Sequence, residues 1–295
     1  NGFASTGIQK NFESVDLSSV TNLSAYGSIV TAHKGGSIIS GLNGGRDVVF
    51  GGAGADQISG NDGDDNIRGA GGNDVLNGDG GHDTILGGDG DDTMSGGAGN
   101  DSVSGGLGTN VYVFDTDDTT TTDILPDLSS SATAGAINQF YVQSSEDFVG
   151  NIKPNVAGAG TVLTGLSGIG IKESQDATFS GAQLTGLTVG VIGQAGGNKE
   201  DLIVTATAGG TTDLSKFEAS ADVAVALNGG DNTDETMKGT KGPGTDTITP
   251  GTGDDLMTGG TGGTNIYVWT TSNASDADTI TDLDDAPDTT VNQFN

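Results

Sequence analysis

Large apolar side chains recur every nine residues along one stretch of the chain, at Val49, Ile58, Ile67, Leu76, Ile85, Met94, Val103 and Tyr112. Each stands between mostly polar neighbours, as in Gln57-Ile58-Ser59, Asn66-Ile67-Arg68 and Thr93-Met94-Ser95. Three such residues read as a very short strand with one buried face. The six residues between strands follow a second register. Aspartate stands two before each apolar residue, at Asp47, Asp56, Asp65, Asp74, Asp83, Asp92 and Asp101, and Asn110 takes the eighth place. Glycine stands two before each of these, from Gly45 and Gly54 through to Gly99 and Gly108. Glycine reaches φ > 0 at little cost, so each six-residue segment predicts a tight turn. Turn and strand alternating at a short fixed period predict a solenoid, in which each unit buries its apolar residue only by stacking on its neighbours.

Outside that stretch the pattern is β-like but aperiodic. Residues 1–44 hold short alternating runs (11–17, 28–31, 37–40) and read as an N-terminal β cap. Gly36 lies nine before Gly45 with Ile38 in the aspartate's place, which predicts a degenerate turn without metal. The apolar run Asn110-Val111-Tyr112-Val113-Phe114 and the Asp123-Ile124 and Asp127-Leu128 pairs read as closing strands, so the long array spans 45–142. The acidic and threonine-rich run 115–122 reads as a solvated loop. Residues 143–212 lose the register, and their threonine and β-branched segments form a β-rich insert that fits a small sandwich or an irregular solenoid equally well. Residues 213–295 repeat the opening plan. Lys216-Phe217-Glu218 echoes Asn11-Phe12-Glu13, Asn265 to Trp269 echoes Asn110 to Phe114, and Asp278 to Leu283 echoes Asp123 to Leu128. Between them, Asp246 and Asp255 keep the local pattern with Gly244, Gly253, Ile248 and Met257, giving a second, short roll. Neither has an aspartate eighteen residues away; Asp234 and Glu235 lie nearest, displaced by insertions.

Charge changes the reading of the aspartates. The chain carries 40 acidic against 10 basic residues, a net charge of −30, which makes nucleic acid and anionic membranes poor partners. Stacking would bring carboxylates of successive turns to about 5 Å, where they repel by roughly 3 kcal/mol at an effective dielectric near 20. A divalent cation between them reverses the sign. Carboxylates and carbonyls of a bent glycine loop are oxygen-only ligands, which suit calcium better than zinc or the strictly octahedral magnesium. There is no cysteine, which excludes disulfides and thiolate metal sites. No apolar run approaches the ~18 residues of a membrane span. His82 falls on the variable loop position before Asp83 and reads as an exposed residue. A His-Glu-x-x-His motif and a Gly-x-Ser-x-Gly elbow are both missing, so the chain is expected not to be an enzyme. The chain opens on Asn1, which predicts a processed product or an excised fragment.

The Gly-Gly-x-Gly-x-Asp-x-apolar-x string, clearest at 51–59 and 96–104, resembles the RTX family, the calcium-binding nonapeptide repeats of secreted bacterial proteins. That resemblance implies a parallel β-roll in which two nonapeptides make one turn, with several calcium ions between loops eighteen residues apart. The implied carboxylate pairs are Asp47/Asp65, Asp56/Asp74, Asp65/Asp83, Asp74/Asp92 and Asp83/Asp101, with Asn110 facing Asp92 as a weaker partner. Family loops also supply the carbonyls two and four residues before the aspartate. Here these are Gly52 and Gly54, Asn61 and Gly63, Ala70 and Gly72, Asp79 and Gly81, Gly88 and Gly90, Gly97 and Gly99. The expected whole is an all-β protein with a long β-roll, a sandwich-like or irregular solenoid segment, and a second short roll where Asp246 and Asp255 are the candidate ligands. The expected function is a calcium-binding structural module of an extracellular bacterial surface protein, a surface layer or cell-surface fibre, self-associating into a lattice or filament or binding other cell-surface components. The calcium-binding tail of a secreted protease- or lipase-like enzyme, and an adhesin or toxin segment, are the alternatives.

Overall fold

The structure, a computed structural model, describes residues 8–12, 14–16, 28–32, 35–41, 43–114, 123–125, 137–142, 146–147, 152–153, 163, 165–172, 175–193, 200–206, 208–230, 233–269, 277–281 and 291–294. The expected loop at 115–122, the Asp127-Leu128 pair and His33 lie outside them. The chain divides into two units, 1–140 with 150–159, and 141–149 with 160–295.

In the first unit the nine-residue period becomes two facing sheets, because each nonapeptide makes one strand and one turn. The strands are β1 (Ile8–Phe12), β2 (Ser14–Asp16), β3 (Ile29–Ala32), β4 (Ile38–Ser40), β5 (Val48–Gly52), β6 (Gln57–Ser59) and β7 (Asn66–Gly71). They continue as β8 (Val75–Gly80), β9 (Thr84–Asp89), β10 (Thr93–Ala98), β11 (Ser102–Leu107), β12 (Thr109–Phe114), β13 (Asp123–Ile124) and β14 (Ile137–Val142). Odd strands form one sheet in order, extended by Ile152–Lys153, and even strands form the other. Pairing is parallel, with Asn66 beside Thr84 and Val75 beside Thr93, both steps of eighteen residues. The fold is a parallel β-roll.

The core is the apolar register read from the sequence. Val30, Val49, Ile67 and Ile85 line one sheet and Ile39, Ile58, Leu76, Met94 and Tyr112 the other, each no more than 2 % exposed. Burying each such side chain contributes about 1.5–3 kcal/mol. The far end is closed by aromatic packing, Phe140 standing edge-on to Tyr112 and Phe114 at 6.2 and 5.0 Å. At the near end the register differs from expectation. Ile39, not Ile38, points inward, and Ile38 is 58 % exposed. Ser28 and Ser37 therefore hold the aspartate's place, and Ser28 donates its N–H and hydroxyl to Asp47 Oδ1 at 2.5 and 2.9 Å. One extra residue per coil (Ile38 to Gln57 is nineteen) moves the register by one.

Four residues before Asp65, Asp74, Asp83, Asp92, Asp101 and Asn110 the backbone turns left-handed. Glycine holds that place at Gly88, Gly97 and Gly106, but Asn61, Ala70 and Asp79 adopt φ of 67, 83 and 72°. Asn and Asp tolerate this conformation, whereas alanine loses roughly 1–2 kcal/mol in it. Ala70→Gly is thus expected to stabilise the calcium-loaded roll by about 1 kcal/mol, after allowing for glycine's freer unfolded chain. Denaturant unfolding checks it, and a loss of stability would remove strain at Ala70 from the account.

The second unit is also a parallel solenoid, which resolves the two alternatives left open for 143–212. Strands Glu146–Asp147, Asp176–Ser180, Glu200–Thr205, Val223–Asn228, Thr245–Thr249, Thr264–Tyr267 and Val291–Phe294 form one sheet. A further sheet runs through Thr211–Asp213, Thr236–Lys238, Leu256–Thr258 and Thr279–Ile280. Strands from both the expected insert and the expected short roll thus share sheets. One helical turn, Gly181–Leu184, is capped by Ser180 and Gln183.

Candidate metal centres

Each aspartate of the long array sits at the mouth of a strand, two residues before an inward apolar side chain, so its own side chain is carried inward too. Asp47, Asp56, Asp65, Asp74, Asp83, Asp92 and Asp101 are all no more than 3 % exposed. One oxygen of each except Asp56 is held by the neighbouring turn, and both oxygens of Asp56 are buried without a hydrogen-bond partner. The N–H groups of Asp47, Asp56, Asp65, Asp74 and Asp83 donate to Oδ1 of Asp65, Asp74, Asp83, Asp92 and Asp101 at 2.6–2.9 Å. The Asp92 N–H reaches the Asn110 amide oxygen at 3.3 Å. The implied pairs are therefore adjacent rungs of two ladders, Asp47–Asp65–Asp83–Asp101 and Asp56–Asp74–Asp92.

The other oxygen is where the chemistry lies. Oδ2 of Asp56, Asp65, Asp74, Asp83 and Asp92 is buried and meets no hydrogen-bond donor. A buried anionic oxygen left in that state costs several kcal/mol unless a proton or a cation answers it. Its surroundings supply more oxygen. A Cβ built on Gly60 would stand within 3.0 Å of both Asp65 Oδ2 and the Gly78 carbonyl oxygen. The same two kinds of oxygen converge beside Gly51, Gly69, Gly78 and Gly87. The glycine five residues before Asp56, Asp65, Asp74, Asp83 and Asp92 thus keeps open a cradle lined by carboxylate and carbonyl oxygen. At Gly105 the pattern breaks, since the amide of Asn110 fills that place. These residues fit a hard cation.

The electrostatics agree. Burial pushes the Asp65 carboxyl up to about 8, with the carboxylates of Asp83, Asp47 and Asp64 adding to it and the Asp47 N–H pulling back. Burial likewise takes Asp74 and Asp83 to about 7 against the pull of one N–H each, and raises Asp56 and Asp92. Such groups resist ionisation until a positive charge joins them.

A second, outer ladder was not legible in advance. The residue before Asp65, Asp74, Asp83 and Asp92 accepts an N–H from the turn eighteen residues on: Asp64 from His82, Asn73 from Asp91, His82 through Nδ1 from Asn100, and Asp91 from Thr109, at 2.8–3.1 Å. That explains Asn, Asp and His at a position read as merely variable. His82 is exposed, as expected, but its ring is used.

A parallel roll with rungs of buried carboxylates and glycine-lined oxygen cradles defines a cation-binding repeat protein. Comparison with protein families narrows this: residues 43–76 and 77–112 match the RTX calcium-binding nonapeptide repeat (4 copies). Residues 43–112 carry RTX calcium-binding nonapeptide repeats. No curated protein and no solved structure matches the chain.

The two aspartates of the second unit part company. Asp246 occupies an inward strand position beside Val225 and Asn265, and its carboxylate takes the N–H and hydroxyl of Thr240, both at 2.8 Å. Its oxygens are satisfied by protein, unlike those of the long array. Asp255 does have partners, contrary to the expectation from spacing. The Glu235 N–H donates to Asp255 Oδ1 at 2.7 Å, and the Asp255 N–H to Asp278 Oδ1 at 3.0 Å. Asp123 plays the same closing part in the first unit, accepting the Asp101 N–H at 2.9 Å. The coils here are 20, 23 and 22 residues long, so a search at eighteen misses Glu235, Asp278 and Asp123. The echo of Asp123 in Asp278 was the available signal.

Proposed function

We propose that this chain is a non-catalytic structural module of an extracellular bacterial surface protein, a surface layer or cell-surface fibre, that folds on calcium and then joins copies of itself. The observation that carries the calcium half is the row of buried Oδ2 atoms without donors, in a chain of net charge −30. One ion per stacked pair of loops, held by Asp56 and Asp74 or Asp65 and Asp83 with glycine-loop carbonyls, would turn that burden into cohesion. When bound, calcium supplies positive charge and six to eight ligand positions that only oxygen fills. The protein's part is to place the carboxylates and exclude water. Such extracellular modules work at about 10⁻⁴–10⁻³ M calcium, so the long array stays unfolded in calcium-poor cytoplasm and folds after export, binding free energy becoming folding free energy. Among the described residues no helix is long and apolar enough to cross a membrane. Support for assembly comes from the repeated plan: both units are parallel ladders whose stacked turns offer identical groups at regular intervals.

Circular dichroism in calcium and in excess chelator tests the first step, with β signal of the long array expected only in calcium. An unchanged spectrum in chelator would end the calcium-folding reading. Electron microscopy and light scattering after calcium addition test the second, with sheets or filaments expected and a persistently monomeric protein counting against a lattice role.

A further inference from the structure

The second unit lies outside the matched repeats, yet it holds a pair of carboxylates in an unusual state. Glu235 and Asp255 are each 1 % exposed. In each, one oxygen is well placed: Glu235 Oε1 takes the Thr233 hydroxyl and, at 3.2 Å, the Gly209 N–H, while Asp255 Oδ1 takes the Glu235 N–H. The remaining oxygens, Glu235 Oε2 and Asp255 Oδ2, are buried and meet no donor. Among the described residues no basic side chain pairs with either carboxylate, Lys238 being engaged with Asp213. Asp246, also buried, shows the contrast, because Thr240 satisfies it. Two neighbouring buried anionic oxygens persist only when a cation or proton lies with them.

We infer that Glu235 and Asp255 form a separate divalent-cation site of the calcium class in the second unit. It is not a copy of the long-array cradle. Pro250 stands five residues before Asp255, where that array has glycine, and a glutamate on a twenty-residue coil replaces an aspartate on an eighteen-residue one. All-oxygen ligands select a hard ion, with backbone carbonyls and water completing the shell. The inference concerns the other unit and stands independently of the proposed function.

The single tryptophan gives the site its own reporter. Trp269 donates its indole N–H to Asp278 Oδ2 at 3.1 Å, and Asp278 Oδ1 accepts the Asp255 N–H. Terbium, a luminescent stand-in for calcium, bound between Glu235 and Asp255 lies close enough for the indole to sensitise it. The full chain is titrated with terbium under excitation selective for tryptophan, then with calcium as competitor. Sensitised emission that calcium displaces is expected in the unaltered chain. It should persist in the double variant Asp65→Asn/Asp83→Asn, which disables only the long array. Glu235→Gln and Asp255→Asn should each weaken terbium binding at least about tenfold. Indole emission without metal, expected to match the unaltered chain, checks that the surroundings of Trp269 survive. Glu235→Asp, which keeps the charge, should lose less than Glu235→Gln, a ranking that misfolding would not produce. No sensitised emission in the unaltered chain, or emission equally strong in Glu235→Gln and Asp255→Asn, would overturn the site.

Discussion

Asp83→Asn is expected to stabilise the long array in chelator and to weaken it in calcium. Asp83 is 2 % exposed, its Oδ2 has no donor, and burial holds its carboxyl up at about 7. Without metal, then, ionised Asp83 opposes folding, and an amide of nearly the same shape removes that opposition while its oxygen still accepts the Asp65 N–H. With metal, the amide withdraws a full negative charge from the ion, and the calcium needed for half-folding should rise about tenfold or more, as for loss of a charged partner worth roughly 1.5–3 kcal/mol. Acid should imitate the substitution. A carboxyl whose folded pKa is raised destabilises most when both states are ionised, above about pH 8 for Asp65. The folded form then binds protons first, so in chelator stability grows as pH falls through about 8 and 7 towards the unfolded value of 3.8. In calcium the direction reverses, because protons compete with the ion for the same oxygens. Calcium titrations followed by circular dichroism at about pH 8 and about pH 5 measure both slopes. Slopes of one sign in both media would sink the ladder as a cation site.

How far the sequence predicts this depends on whether the coil length is constant. In the long array it is eighteen, so Ile58 predicts Leu76 and Asp65 predicts Asp83, and core and ladder are legible residue by residue. In the second unit Asp176 pairs with Asp201, Asp201 with Ala224, Ala224 with Thr245 and Thr245 with Thr264, steps of 25, 23, 21 and 19. The fold is the same, but no period survives for a sequence reading to find. Asp246 shows the opposite failure. Its local string matches a repeat, but its neighbour on the previous coil is Val225, which has no carboxylate to share an ion. A ligand pair is a property of two coils, and one nonapeptide carries only half of it.

Gly99→Ala should cost the long array more than any single ligand change, with calcium present. Gly99 has φ of 143°, and a Cβ there would overlap the carbonyl oxygen of Gly81 in the turn below. Gly81 stands over Gly63, and Gly63 over Gly45, in the same relation. The glycine two residues before Asp65, Asp74, Asp83, Asp92 and Asp101 is therefore fixed twice, by conformation and by contact with backbone that has no free end to swing away. Left-handed strain alone accounts for roughly 1–2 kcal/mol. Forcing the stacked turns apart would also stretch the Asp83 N–H to Asp101 bond, 2.7 Å in length, and misplace the oxygens of the neighbouring cradles. A loss of several kcal/mol is expected, of the order of about 4–5 kcal/mol that marks exceptional single substitutions. Ala70→Gly, which acts at a left-handed site in the same roll with the opposite sign, is the internal control. Calcium-induced folding that Gly99→Ala leaves within about 1 kcal/mol of the unaltered chain would mean that the turns are not stacked as tightly as their glycines require.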